Sequence, residues 1–181
     1  HNIEVRPLDV GISHWDHTLE PSDSAATEPA LRLGLRMIKG MSVDAAGRIM
    51  QAQQQLQTQQ PSQTEQRSFR NAQELARRAS LNDQQLGFLA RSGALYQLAG
   101  HRHQAHWDVT GIAAPLPLEQ PQASGGACAP QTTVRDPVLQ DTITLHAPSV
   151  TEDMFNDYRY TGLTLGPHPM TLLREHPELR G

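Results

Sequence analysis

Cysteine is almost absent from this 181-residue chain, since Cys128 is the single one, and this excludes a disulfide framework and a cysteine-rich zinc site. Aromatic residues make up 4% and hydrophobic residues 37% of the sequence, below the roughly 45–50% apolar content of an ordinary domain. The sequence lacks an apolar run near the ~18–20 residues that span a bilayer, and a signal-type segment at its start. We therefore expect a cytoplasmic fragment of a longer protein, without membrane contact, in which part of the chain lies outside any core.

Lysine is also scarce, because Lys39 is the only one and arginine supplies the remaining positive charge. Residues 32–103 contain ten basic and four acidic residues, whereas the two flanks together contain five basic and fifteen acidic ones. The net charge of −4 therefore conceals a basic middle between acidic ends. Such a middle is typical of a surface that binds a polyanion, although a solvated, arginine-rich helical surface has the same balance.

Short extended segments open the chain, and helical patterns follow. Strands are predicted within residues 4–10, 14–20 and 31–37, and Pro7 favours a sheet edge for the first. Capping residues and apolar spacing predict helices over 42–57, 71–79, 82–91, 101–108 and 149–161, and a further short one from Pro169. Residues 109–148 are rich in proline, glycine and glutamine, which is typical of a linker, with a candidate strand at 142–145.

The segment 35–49 has the pattern of two helical pieces joined by a tight turn. Gly40 lets backbone N–H groups approach a phosphate, and the helix that follows Ser42 points its positive end the same way. The single lysine, Lys39, lies on that turn. A second, looser copy of the pattern covers residues 86–107. Two such hairpins can hold both strands of a duplex by their phosphates, which positions DNA without reading its sequence.

This arrangement resembles the paired helix-hairpin-helix module of the C-family bacterial DNA polymerases (DNA polymerase III alpha-like), in the region between the fingers and the OB domain. The resemblance rests on residues 5–10, 33–35, 38–40, 92–95, 100–102, 162–165 and 168–169. Ala105 with Trp107, and Asp157 with Tyr158, are most similar to the error-prone, ImuC-type branch of translesion synthesis and SOS-type mutagenesis.

The resemblance implies a mostly α-helical fold with a small N-terminal β element, divided into four parts. These parts are the end of the fingers region with the β element (1–36), the tandem helix-hairpin-helix (34–108), the linker (109–148), and the C-terminal helical segment that leads towards an OB domain (149–181). The parent protein would be a DNA-directed DNA polymerase, a nucleotidyltransferase that uses Mg²⁺. Its catalytic aspartates belong to the palm, so we expect no catalytic residue, cofactor or metal site in this chain.

The implied partners are duplex primer–template DNA and an ImuB-like accessory protein that reaches the sliding clamp. Residues 109–148 contain no clamp-binding peptide, which fits recruitment through such a partner. The segment 85–89 has a similar composition, but its leucines fit a helix face, so we predict that they lie in the core.

The predicted function is therefore duplex DNA binding without sequence specificity. The predicted DNA contacts are Arg36, Lys39, Gly40, Met41, Ser42, Arg48, Ser92, Gly93 and Arg102. Ser42 replaces a second glycine that tightly binding hairpins usually carry, and the second hairpin is degenerate. These departures leave a second interpretation open, a protein-interaction module whose hairpins are structural and whose linker and C-terminal helix dock accessory mutagenesis proteins.

Overall fold

A computed structural model of the chain describes residues 3–22, 29–59, 68–112 and 144–175. Its elements are β1 (Val5–Arg6), β2 (Thr18–Glu20), β3 (Ala30–Arg32), α1 (Val43–Gln59), α2 (Ala72–Arg78), α3 (Asp83–Ser92), α4 (Tyr96–Ala99), α5 (Arg102–Ile112), α6 (Val150–Tyr160) and α7 (Pro169–Glu175). The mostly helical fold with a small N-terminal β element is therefore confirmed. Within the described ranges, no helix combines the length and apolar character needed to cross a membrane.

The three strands form one small sheet in the order β1-β3-β2, in which β1 runs parallel and β2 antiparallel to β3. The edge position predicted from Pro7 is confirmed, because β1 ends just before it at one side of the sheet. The strand predicted over 31–37 is wrong after Arg32, since Leu35–Met37 form a 3-10 turn. The turn forms because Leu35 is completely buried and its N–H donates to the His14 carbonyl, away from the sheet.

Glu20 fastens the sheet, because its carboxylate accepts hydrogen bonds from arginines on both other strands. Arg32 donates through Nε and Nη2 at 2.9 Å each, and Arg6 donates through Nη1 at 3.0 Å. The bond from Arg32, followed by that from Arg6, holds the pKa of the Glu20 carboxyl below its ordinary value of 4.5. The sheet is thus held by charge as well as by its few backbone hydrogen bonds.

We expect Glu20→Gln to lower the free energy of unfolding at pH 7 by about 1–2 kcal/mol, because two arginines lose a charged acceptor. A carboxyl whose pKa is lowered by folding stabilises the protein above its ordinary pKa and loses that effect as the pH falls. The wild-type chain should therefore lose stability below about pH 4.5 more steeply than the variant. Urea unfolding at several pH values measures this, and equal acid limbs for the two chains would contradict it.

The core lies between the N-terminal segment and helices α1, α2, α3 and α5. Its largest completely buried side chains are Leu35, Ile49, Leu75, Leu86, Leu89, Leu95, Val10 and Ser13. Buried Gln53 of α1 donates to the Val10 carbonyl at 2.7 Å, and the Val10 N–H donates to the Ala94 carbonyl at 3.0 Å. The N-terminal segment therefore joins α1 to the turn after α3. The core placement predicted for Leu86 and Leu89 is confirmed.

The helix starts follow the capping residues of the sequence. Ser42 accepts a hydrogen bond from the Ala45 N–H, and reciprocal capping boxes are present at Asn82 and at Ser149. At Asn71 the reciprocal half is shifted by one residue, because the Glu74 carboxylate accepts from Arg70 rather than from Asn71 itself. The cap predictions are otherwise confirmed.

The predicted end of α5 near Asp108 is wrong, since the helix continues to Ile112. The helix continues because Val109 is buried against the core. The composition of the sequence after Asp108 is typical of a linker and gave no sign of this burial. Residues 113–143 of the predicted linker lie outside the described residues. Thr144 and Leu145 belong to no strand, and the first half of the candidate strand 142–145 also lies outside the described ranges.

Candidate nucleic-acid interface

The first hairpin places a short exposed turn on a buried base. Ile38 and Met41 are buried, and the Met41 N–H donates to the Ile38 carbonyl at 3.1 Å. Between them Lys39 and Gly40 are exposed, and Gly40 has a φ of +89°, in the left-handed region that glycine adopts without strain. Buried Met41 therefore anchors the turn, which stays at the protein surface.

Three backbone N–H groups at this turn and the start of α1 have no acceptor in the part of the chain that the structure describes. The N–H groups of Gly40, Val43 and Asp44 have no hydrogen-bond partner among the residues that the structure describes. Val43 and Asp44 open the first turn of the 17-residue helix α1, whose positive end therefore faces the same side. Unpaired amides at the start of a helix, next to a glycine turn, are suited to bind an anion.

Phe88 of α3 leaves no room for a side chain at position 40. A Cβ added at position 40 would lie 2.6 Å from Cζ of Phe88, which is shorter than such carbon contacts allow. The half-buried Phe88 ring thus fixes the distance between the first hairpin turn and α3.

Lys39 contacts the carboxyl end of α6 at two points. Its Nζ donates to the Tyr158 carbonyl at 3.0 Å, and its backbone N–H donates to the Tyr160 carbonyl at 2.8 Å. These carbonyls belong to the last turn of α6, which has no partners for them within the helix. Lys39 therefore caps α6, and one N–H of its ammonium group is used in this way. Its predicted contact with a phosphate stays a prediction.

Two arginines share one aromatic ring beside this turn. The guanidinium carbon of Arg91, from α3, lies 6.0 Å from the centroid of the Tyr160 ring, and that of Arg159, from α6, lies 5.7 Å from it. We call Lys39, Arg91, Arg159 and Tyr160 the Tyr160 patch. Of these four residues, the sequence predicted only Lys39 as a DNA contact. Arg159 lies in an acidic flank of the sequence, and only the fold brings α6 beside Lys39.

Arg102, a predicted DNA contact, is instead surrounded by protein acceptors. Its Nη1 donates to the carboxylate and the backbone carbonyl of Asp153, at 2.5 and 3.1 Å, and its Nη2 donates to the Asp157 carboxylate. Its side chain is 13% exposed, and the guanidinium lies against Gly93, where an added Cβ would be 3.0 Å from Nη2. Arg102 thus fastens α6 to the second hairpin, whose turn it covers.

The remaining predicted contacts divide between surface and interior. Arg36 is exposed, and its Nη1 lies 2.7 Å from the Asp16 carboxylate. Arg48 donates through Nε to the Ala79 carbonyl at 2.9 Å, so it joins α1 to the end of α2. Ser92 is buried, and its hydroxyl donates to the Leu89 carbonyl. A role of Arg36, Arg48 and Ser92 in DNA binding stays a prediction. The side chains of Arg48 and Ser92 already donate hydrogen bonds within the protein.

A cavity of about 300 Å³ lies between the second hairpin and the segment after α6. Its walls include Tyr96, Leu163 and Leu165, together with Asp9 and Arg102. Burial raises the pKa of the Asp9 carboxyl, although the Gly11 N–H, 2.7 Å away, lowers it in part.

In the described part of the chain, no group of three His, Cys, Asp or Glu side chains is placed to hold a metal ion.

Comparison with known proteins agrees with this geometry. The helix-hairpin-helix motif family matches residues 2–105. The chain is 41% identical over 176 residues to a protein of Pseudomonas syringae pv. tomato, 41% over 181 residues to one of Alkalilimnicola ehrlichii and 36% over 197 residues to one of Methylococcus capsulatus. All three are named error-prone DNA polymerase, and the matches cover 96%, 99% and 100% of this chain. The chain spans about 15% of the length of these relatives.

Proposed function

Because the chain belongs to the helix-hairpin-helix family, we propose that it binds the sugar–phosphate backbone of duplex DNA without reading the sequence. The observation that carries the proposal is the first hairpin turn, where the N–H groups of Gly40, Val43 and Asp44 lack acceptors within the described ranges and lie beside the exposed Lys39. Phosphate oxygens accept hydrogen bonds from such amides, and the positive end of α1 adds to the attraction. Phosphates are the same in every sequence, so these contacts position DNA without selecting a site.

The similarity to error-prone DNA polymerases sets the proposed context. There the chain would hold the primer–template duplex during translesion synthesis and SOS-type mutagenesis in the cytoplasm. An ImuB-like accessory protein would connect the polymerase to the sliding clamp. Polymerase chemistry uses Mg²⁺ held by clustered carboxylates. In this proposal, as the resemblance implies, that step belongs to the palm of the polymerase.

We expect Lys39→Gln to weaken DNA binding about tenfold at near-physiological salt, equally on all sequences. The change removes a charge but keeps an N–H donor for the Tyr158 carbonyl. The log–log slope of affinity against salt concentration should become shallower by about 0.9, the effect of one lost phosphate contact. Fluorescence anisotropy of the 181-residue chain on several primer–template duplexes, at low and higher salt, measures both quantities.

Arg70→Gln is the matched control, because it also removes one exposed charge of the basic middle. Arg70 lies two residues after Ser68, and Ser68 lies against Gly11. Gly11 follows Val10, whose carbonyl accepts a hydrogen bond from Gln53 of α1, so Arg70 is near the middle of α1. That part is roughly 16 Å along α1 from the first hairpin turn, so the control should leave the affinity nearly unchanged. Losses confined to certain sequences, or equal losses for the two variants, would contradict backbone recognition at the turn.

Exposed aromatic side chains favour a second candidate function, docking of an accessory mutagenesis protein. Phe155 is 65% exposed and shares a face of α6 with Tyr158, three residues on, while Trp107 of α5 is 51% exposed. Aromatic residues of this kind are enriched in protein interfaces. A folded chain that shows no DNA binding even at low salt would favour this function over the first.

A further inference from the structure

We propose that the Tyr160 patch is a phosphate-binding subsite that extends the duplex interface from the first hairpin onto α3 and α6. The proposal rests on the function proposed above and adds three residues to it, Arg91, Arg159 and Tyr160. Its ligand is a phosphate group of the DNA backbone, next to the phosphate held at the Gly40 turn. It makes α6, which lies beyond the part matched by the helix-hairpin-helix family, a part of the DNA-binding surface.

The Tyr160 patch carries positive charge. Lys39, Arg91 and Arg159 are three exposed cations, and none of them forms an ion pair with a carboxylate in the part of the chain that the structure describes. By contrast, the carboxylates of α6 nearest in sequence, Asp153 and Asp157, bind Arg102. Neighbouring like charges repel one another, so a patch of this kind is most stable with an anion bound.

The Tyr160 ring holds the two arginines in a way that suits phosphate binding. The negative face of an aromatic ring attracts a guanidinium group and reduces its freedom, while its N–H groups remain available. Both guanidinium groups lie within reach of the Tyr160 ring, at 6.0 and 5.7 Å from its centroid. Planar guanidinium donors match the oxygens of a phosphate, so less entropy is lost when they bind it.

The Tyr160 patch is continuous with the first hairpin. Phe88 and Arg91 lie three residues apart on one face of α3. Phe88 contacts the Gly40 turn, and Arg91 lies over Tyr160. The backbone of Lys39 is bonded to the Tyr160 carbonyl at 2.8 Å, so the patch and the unpaired amides belong to one surface.

The test is the salt dependence of duplex binding by the 181-residue chain with Arg91→Gln and Arg159→Gln combined. We expect the affinity at near-physiological salt to fall roughly 10- to 100-fold, and the log–log slope to become shallower by about 1.8, the effect of two lost phosphate contacts. Each single variant should account for about half of the change in slope. Thermal unfolding of every variant confirms that the fold is kept, since both side chains are exposed.

The combined Arg91→Lys and Arg159→Lys variant keeps both charges and should keep the wild-type slope, whereas Arg70→Gln controls for the loss of a distant charge. If the combined glutamine variant binds like the wild type while Lys39→Gln binds more weakly, the subsite is overturned and the hairpin function stands. If the wild-type chain itself does not bind duplex DNA at low salt, both proposals are overturned. A loss in each single variant equal to that of Arg70→Gln would also overturn the subsite, because it would reflect overall charge alone.

Discussion

The Arg102→Met chain should unfold with a free energy about 2–3 kcal/mol below that of the wild type. Breaking a buried ion pair typically costs about 3–5 kcal/mol, and the exposure of Asp153, at 43%, reduces this figure here. The change leaves Asp153 without its cation and Asp157 with only the Thr164 hydroxyl, 2.7 Å from its other carboxylate oxygen. The Ser92 carbonyl, which accepts from Arg102 at 3.4 Å, also loses a donor.

Urea unfolding measures this change, and hydrogen exchange locates it. Arg102 and Lys39 are both attached to α6, so loss of one attachment should speed amide exchange in α6 more than in α1. Arg77→Met is the control, because Arg77 is an exposed arginine without an ion pair among the described residues. Unchanged protection of α6 in the Arg102→Met chain would show that this arginine does not fasten the helix.

Gly40→Ala and Gly47→Ala should change stability in opposite directions, although the chemical change is the same. At position 40, a left-handed φ of +89° costs an alanine about 1–2 kcal/mol, and the added Cβ would meet the Phe88 ring at 2.6 Å. We expect a total loss of about 2–3 kcal/mol. Gly47 lies inside α1 with nothing within 4 Å of an added Cβ, so alanine there should stabilise the chain by about 0.5–1 kcal/mol.

The same pair separates stability from DNA binding. Thermal and urea unfolding should place the two variants on either side of the wild type. At a temperature where all three chains are folded, Gly40→Ala should also bind duplex DNA more weakly, because the turn that presents the N–H groups must shift. If Gly40→Ala does not destabilise the chain, neither the left-handed φ nor the contact with Phe88 explains why position 40 is glycine. If Gly47→Ala destabilises it, the open space around Gly47 does not decide the effect there.

Features that depend on near neighbours in the chain were predictable from the sequence. The caps at Ser42, Asn82 and Ser149 involve partners three residues away, so spacing alone identifies them. The turn at Gly40 is also local, since a single residue with positive φ separates two helical pieces. Core positions such as Leu86 and Leu89 follow from helical periodicity.

Partners far apart in the chain were not predictable. Arg102 is bonded to residues 51 and 55 positions away, and no local pattern distinguishes it from an arginine that faces solvent. Arg48 shows the same limit, because its long side chain reaches the Ala79 carbonyl 31 positions away. The Tyr160 patch combines α3 and α6, and its existence depends on where α6 docks. Arginine is ambiguous in a sequence because a protein carbonyl and a phosphate satisfy the same N–H donors.

The attachment of Lys39 to Tyr158 also bears on how much the intervening chain can vary in length. These residues are 119 positions apart, but α1 to α5 are folded between them, so the loop that the docking of α6 closes is the connection from α5 to α6. The entropy of closure grows only with the logarithm of loop length, and even a doubling costs about 0.6 kcal/mol. Insertions of tens of residues between α5 and α6 would therefore barely weaken the docked helix. Evolution can lengthen, shorten or replace that connection while the surface built from α3, α6 and the Gly40 turn stays assembled.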